Sequence, residues 1–159
     1  MLLFEMAERA NITSQTVDHT DRRILAILQA DGKLSYQELG EAVGLSAPAA
    51  FQRVRKLEAA GVIAGYHARI SPEAVGKPLV AFVHVHPSPD AEMPQLLARW
   101  RRASAVLECH RLTGADRYLL KMRLENVGAL SAFLDGARRA GCSAESELAV
   151  ETAFERWVV

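Results

Sequence analysis

The chain has 159 residues, half of them hydrophobic and 24% charged, enough for one ordinary domain or two very small ones. Its longest apolar stretches are only strand-sized, which excludes a transmembrane helix, and Met1-Leu2-Leu3-Phe4-Glu5 lacks the basic flank of a signal peptide. The 19 basic and 19 acidic residues cancel, so binding of nucleic acid requires basic groups gathered on one element.

Residues 1–16 show no clean period and read as an N-terminal arm. From Asp18 the helix signals become regular. Asp18 can cap a helix, with Asp21 three residues on and Ile24, Leu25, Ile27 and Leu28 following until Gly32 ends it. Ser35-Tyr36-Gln37-Glu38 is a capping box, because hydroxyl and carboxylate can each satisfy an orphan amide. Leu39 and Val43 share one face, and Gly44 supplies a left-handed stop. Ser46 caps a third helix whose Ala50, Val54 and Leu57 form one stripe; Gly61 closes it and Val62-Ile63-Ala64-Gly65-Tyr66 begins extended structure.

Two short helices separated only by Gly44-Leu45-Ser46 make a helix-turn-helix, with Leu45 plugging the angle between them. A helical hairpin that merely packs gives the same pattern, so the third helix has to decide. Its first turn, Ala47-Pro48-Ala49, is small enough for close approach to a groove floor, with Ser35 and Ser46 at the two helix starts. Gln52 and Arg53 on the exposed side can read adenine and guanine edges, and Lys56 or Arg55 can neutralise phosphate. Double-stranded DNA is therefore the expected partner. A merely solvated charged face is the competing reading, since Glu58 lies there too.

Leu79 to His86 follows as a strand apolar on both faces, Val80 and Phe82 on one and Leu79, Ala81, Val83 and Val85 on the other. Ser88-Pro89 is expected to start a helix carrying Met93, Leu96, Leu97 and Trp100. Ala105–Leu112 and Arg117–Glu125 read as strands, the latter alternating through Tyr118, Leu120, Met122 and Leu124. Asn126 can cap a helix with Leu130, Phe133, Leu134 and Ala137 inward. After Gly141 the tail alternates, Leu148, Val150, Phe154 and Val158 against Glu147, Glu151 and Glu155.

This order is the ferredoxin-like βαββαβ unit, so the fold class is α+β: a winged helix-turn-helix domain over 17–65, a linker over 66–77 and a ferredoxin-like domain over 78–159. Two helices cover one face of such a sheet, and the second apolar face of the first strand needs another cover. The same sheet of a second subunit is the simplest supplier, giving a homodimer that matches a two-fold DNA site.

At this point the chain resembles the Lrp/AsnC family of bacterial and archaeal regulators, from Val17 to Val159. The resemblance is carried by Asp21-Arg22-Arg23-Ile24-Leu25, by Glu38-Leu39-Gly40-Glu41-Ala42-Val43-Gly44-Leu45-Ser46, and by the run from Arg53 to Tyr66 that ends in Gly61-Val62-Ile63-Ala64-Gly65-Tyr66. Cys109-His110-Arg111-Leu112-Thr113-Gly114 adds to it. It implies a winged DNA-binding domain, a ferredoxin-like regulatory (RAM-type) domain, dimers that assemble further into tetramers or octamers, and amino-acid effectors. It also implies an effector site at the loop Thr113-Gly114-Ala115-Asp116-Arg117-Tyr118, where the family pattern is Gly, two variable residues, Asp, then an aromatic. Here Arg117 holds the Asp position and Asp116 lies one place early. Either Asp116 swings into the role, or the site has turned toward acidic or non-amine ligands or lost binding. The second is favoured, since a one-residue shift beside a strand turns the side chain to the other face.

Other functional classes fare worse. Cys109 and His110 look like nucleophile and base, but strand neighbours point to opposite faces, so no enzyme is expected. His84 and His86 share a face and could ligate a metal with His110 or Cys109, which makes a metal-responsive regulator the alternative, although strand histidines are more often satisfied interface residues. Cys109 and Cys142 are far apart and form no framework, which suits a reducing cytoplasm; no cofactor is expected.

Overall fold

Residues 17–114 and 117–156 are described by the computed structural model of the chain, and they divide into two units: one reaching Ala68 and rejoined by Glu155 and Arg156, the other Arg69–Phe154. The arm over 1–16, and Ala115, Asp116 and Val158, lie outside the described residues.

The first unit holds three helices, α1 (His19–Ala30), α2 (Tyr36–Val43) and α3 (Ala47–Ala59). Each starts where a side-chain oxygen replaces a missing intrahelical partner. Asp18 and Asp21 form a capping box on α1, Ser35 and Glu38 form another on α2, and Ser46 caps α3 by accepting from the Ala49 amide. Asp31, one residue before the expected Gly32, is the C-cap of α1. Gly44 ends α2 at φ 77°, left-handed as the turn requires. Ile24, Leu39, Val43, Ala50, Val54 and Leu57 form the core, with Leu25, Ile27, Leu28, Leu45, Val62 and Ile63 packed against it. Residues 64–70 form neither helix nor strand.

The second unit is a four-stranded antiparallel sheet of β1 (Leu79–Pro87), β2 (Val106–Leu112), β3 (Arg117–Leu124) and β4 (Cys142–Leu148), in the order β2-β3-β1-β4. Helices α4 (Met93–Arg102) and α5 (Val127–Arg139) bring Leu96, Trp100, Leu130 and Ala137 onto Ala81, Val83, Val85, Tyr118, Leu120, Met122 and Cys142. The opposite face carries Phe82, His84 and His86 of β1, Leu119 and Lys121 of β3, Glu108 and His110 of β2, and Glu145 and Glu147 of β4, as the register requires.

Two expectations need correction. Pro89 does not open a helix: the Ala91 amide donates to the Ser88 carbonyl at 3.0 Å to close a turn, and α4 begins at Met93 with Pro94 in its first turn. The tail does not continue as a strand, since β4 stops at Leu148 and Val150 and Phe154 are exposed. The register gives the reason: Leu148 pairs with Ala81 and the Ala149 amide donates to the Val80 carbonyl at 3.0 Å, so a strand running on to Val158 would pass the start of β1 at Leu79.

Candidate functional site

The helix-turn-helix is fixed by backbone approach as much as by side chains. The Leu45 amide donates to the Gly40 carbonyl at 2.8 Å, closing the turn behind Gly44. Gly40 is buried, and a β-carbon there would lie 2.6 Å from the Leu45 carbonyl oxygen and 3.2 Å from the Ser46 carbonyl carbon. Arg23 of α1 donates to the Ala42 carbonyl at 2.7 Å, tying α1 to the last turn of α2.

Helix α3 buries Ala50, Val54 and Leu57 and leaves Ser46, Pro48, Gln52, Arg55 and Lys56 exposed, with Ala47 and Ala49 half-buried. The first turn and Gln52 therefore form the small, polar surface that the sequence suggests. Phe51 meets Tyr36 of α2 edge to face at 5.1 Å between centroids. The Ser35 hydroxyl is committed to its cap, donating to Glu38 at 2.7 Å while accepting from the Glu38 amide at 3.2 Å. Those bonds from Ser35 hold the Glu38 carboxyl below the usual carboxylate range.

Arg53 departs from its expected place as a free base-reading group. Its Nη1 lies 2.6 Å from Asp18 Oδ2 and 2.7 Å from Asp21 Oδ1, two ion pairs onto the capping box of α1. The Asp21 amide first, and then Arg53, hold Asp18 below the usual carboxylate range; the two carboxylates raise the guanidinium in turn. Asp18, Asp21, Gln52, Arg53, Arg55, Lys56 and Glu58 line one open groove. Tyr66 closes the unit beyond α3, donating to Glu58 at 3.1 Å, and burial followed by that carboxylate pushes its phenol up to about 12.

Of the effector loop, Thr113, Gly114, Arg117 and Tyr118 are described. Gly114 takes φ 97°, which favours glycine there. Arg117 is exposed opposite Leu112, while Tyr118 turns to the other face and packs on Trp100 at 5.9 Å between ring centroids. Glu108, on the same face of the sheet, meets His110 at 3.0 Å and Lys121 at 3.3 Å, which together hold its carboxyl low. Cys109 and His110 sit opposite Leu120 and Leu119 on opposite faces, so they cannot act as a pair. His84 and His86 share the helix-free face, but no group of three or more His, Cys, Asp or Glu forms a metal-holding cluster among the described residues, so the metal alternative is not carried forward.

Sequence reasoning missed three contributors. Gly40 was legible only as part of a family pattern, although a glycine within a helix just before a turn signals close approach. Arg23 and the Asp18–Asp21 pair gave no sign of their partners, which are 19 to 35 residues away.

Residues 17–58 match the AsnC-type helix-turn-helix domain and residues 80–147 the Lrp/AsnC ligand binding domain. The transcriptional regulator LrpA of Mycobacterium tuberculosis is 38% identical over 125 residues, 79% of this chain and 83% of that one. A transcriptional regulator from Neisseria meningitidis, solved with L-Met, is 33% identical with TM-score 0.83, covering 91% of this chain and 96% of that one. The feast or famine regulatory protein of M. tuberculosis, complexed with L-methionine, is 35% identical with TM-score 0.79 over 88% of this chain and 96% of that one.

Proposed function

The chain belongs to the Lrp/AsnC family of transcriptional regulators, and from that membership we propose how its own residues serve regulation. The helix-turn-helix binds operator DNA with the start of α3 in the major groove. Gln52 reads a base edge, the Ser46-Ala47-Pro48-Ala49 turn permits the approach, and Lys56 meets a phosphate. The observation that carries this reading is the exposed, small-residue first turn of α3, with Gln52 and Lys56 beside it, on a helix whose other side is core.

The protein works as a homodimer, formed through the helix-free face of the sheet, and assembles further as the family does. Two-fold pairing presents two recognition helices to a two-fold site. Support comes from Phe82, half-buried on the face of β1 that neither α4 nor α5 covers. The loop Thr113–Tyr118 senses a small molecule, supported by the match to a ligand binding domain and by the L-methionine complexes of two similar proteins. Regulation of transcription in the cytoplasm, without catalysis, is the role this assigns. Among the described residues no helix is long and apolar enough to cross a membrane.

The test is enrichment of duplexes from a random-sequence pool, followed by titration of the winner at several salt concentrations. Gln52→Ala should lose roughly 1–3 kcal/mol of discrimination at one base pair. Lys56→Ala should weaken every duplex alike and flatten the salt dependence by about one ion. Failure of the wild type to enrich any sequence overturns the reading.

A further inference from the structure

We propose that Arg53 is a positioning residue that clamps the recognition helix α3 to the start of α1 and that it reads no base. The proposal rests on the DNA-binding reading above, and it reassigns the one cation that the sequence pointed to most directly.

The oxygen count carries the argument. Asp18 uses Oδ1 to accept from the Asp21 amide at 2.7 Å and Oδ2 to accept from Arg53 at 2.6 Å. Asp21 uses Oδ2 to accept from the Asp18 amide at 3.2 Å and Oδ1 to accept from Arg53 at 2.7 Å. All four carboxylate oxygens are thus engaged, two in capping α1 and two in holding Arg53. Bonds between ionised partners are the short, strong class, and here both are at its short end.

Charge gives a second reason. In the groove that also holds Gln52, Arg55, Lys56 and Glu58, beside the surface proposed to meet phosphate, stand the two carboxylates of the clamp, Asp18 and Asp21. With Arg53 between them their sum is one negative charge; with Arg53 withdrawn to a guanine it is two, next to the DNA backbone. A released Arg53 would gain a base contact while breaking two charge-assisted bonds and strengthening repulsion of the ligand. The closed arrangement is therefore the one that binds DNA. Its links span 35 and 32 residues, so the clamp adds a directional restraint on the angle of α3 against α1 to the apolar core they share.

The two alternatives differ in sign. If the clamp stays closed on DNA, removing either side of it weakens binding; if DNA draws Arg53 away, removing a carboxylate tightens binding. The full chain would be compared as wild type, Arg53→Met, Arg53→Lys, Asp21→Asn and the double variant Arg53→Met/Asp21→Asn. The probes are the duplex enriched by the wild type and a shuffled duplex of equal length and composition. Arg53→Met and Asp21→Asn should each weaken both duplexes by the same factor, about threefold to tenfold, with the salt slope unchanged. The double variant should be no weaker than either single one, and Arg53→Lys should recover part of the loss.

Tighter binding by Asp21→Asn together with a flatter salt slope for Arg53→Met would overturn the clamp in favour of a phosphate contact. Loss confined to the enriched duplex in Arg53→Met would overturn it in favour of base reading. Should the wild type enrich no sequence, the DNA-binding reading fails by itself. The clamp is then judged by thermal unfolding of the same four variants, where additive losses from the two single changes count against it.

Discussion

Gly40 and Leu45 approach through bare backbone, with the position of a β-carbon on Gly40 only 2.6 Å from the Leu45 carbonyl oxygen. Backbone cannot swing aside as a flexible side chain can, so Gly40→Ala must open the turn between α2 and α3. The expected loss is at least about 1–3 kcal/mol, the scale of overpacking in a closed site. Chemical denaturation of the DNA-binding unit measures it. Gly44→Ala is the control: nothing lies within 4 Å of its β-carbon position, and it should lose only about 1–2 kcal/mol from its left-handed backbone. Equal losses would mean that the close approach at Gly40 relaxes freely.

The two capping boxes predict an acid response. Asp18 and Glu38 both have folded pKa values below their ordinary ones, Asp18 first through the Asp21 amide and then Arg53, Glu38 through Ser35. A depressed carboxylate contributes stability above its unfolded pKa and loses it as pH falls through the folded one. The urea midpoint of the DNA-binding unit should therefore fall below the ordinary carboxylate range, and less steeply in Asp18→Asn. Lys56, Arg55 and Glu58 share the groove with Asp18 and Arg53, so their variants serve as charge controls. Tyr66 gives the opposite limb: with its phenol raised to about 12, its contribution is lost only as pH climbs from about 10 toward that value. Ultraviolet titration should show the late ionisation of Tyr66 as a component that is lost in Tyr66→Phe.

Local chemistry made much of this fold legible. Asp18, Ser35, Ser46 and Asn126 each cap a helix as expected, because the oxygen and the amide it satisfies are three residues apart. The alternation of Tyr118, Leu120, Met122 and Leu124 reported β3 for a similar reason, since side-chain period alone decides which face is buried. The start of α4 falls later than Ser88-Pro89 suggests, because Pro94 suits a first helical turn as well as Pro89 does. The tail alternated without becoming a strand because alternation supplies a face but no partner. The ion pairs of Arg53 are not legible, because the sequence shows its place on the outer side of α3 but not the carboxylates that hold it, which are 32 and 35 residues away.

Dimerisation through the helix-free face predicts that a charge at its centre will separate subunits. Phe82 lies in the middle strand pair, opposite Lys121 and Glu147, and is half-buried in the single chain. Phe82→Glu would set a third carboxylate beside Glu108 and Glu147, around a Lys121 that Glu108 already engages, and burying that excess of negative charge against a copy of itself is strongly unfavourable. Sedimentation equilibrium of the full chain at micromolar concentration should show at least a dimer for the wild type and a lighter species for Phe82→Glu. A change on the exposed helix surface, Ala132→Glu, should leave the mass alone. Identical masses for wild type and Phe82→Glu would move the interface elsewhere.

The effector loop departs from the family pattern at one position, and the consequence is electrostatic. An amino-acid ligand presents an ammonium group that needs a carboxylate. The residue at the pattern's Asp position is Arg117, whose guanidinium keeps its charge at any working pH. Arg117 is exposed and stands opposite Leu112, while Tyr118 beside it turns away to pack on Trp100. Glu108 does not offset it there, being engaged by His110 and Lys121. Water screens the guanidinium until a ligand displaces that water, and repulsion of an ammonium then grows as the local dielectric falls. Neutral amino acids, L-methionine among them, should therefore bind at least about tenfold more weakly than to Arg117→Asp, since each 1.4 kcal/mol is a factor of ten. Ligands with an additional carboxylate should prefer the wild type. Titration calorimetry of both forms against methionine, leucine, aspartate and glutamate separates the cases. Tight binding of methionine or leucine by the wild type, unchanged in Arg117→Asp, would make Arg117 a spectator and return the carboxylate role to the neighbouring loop.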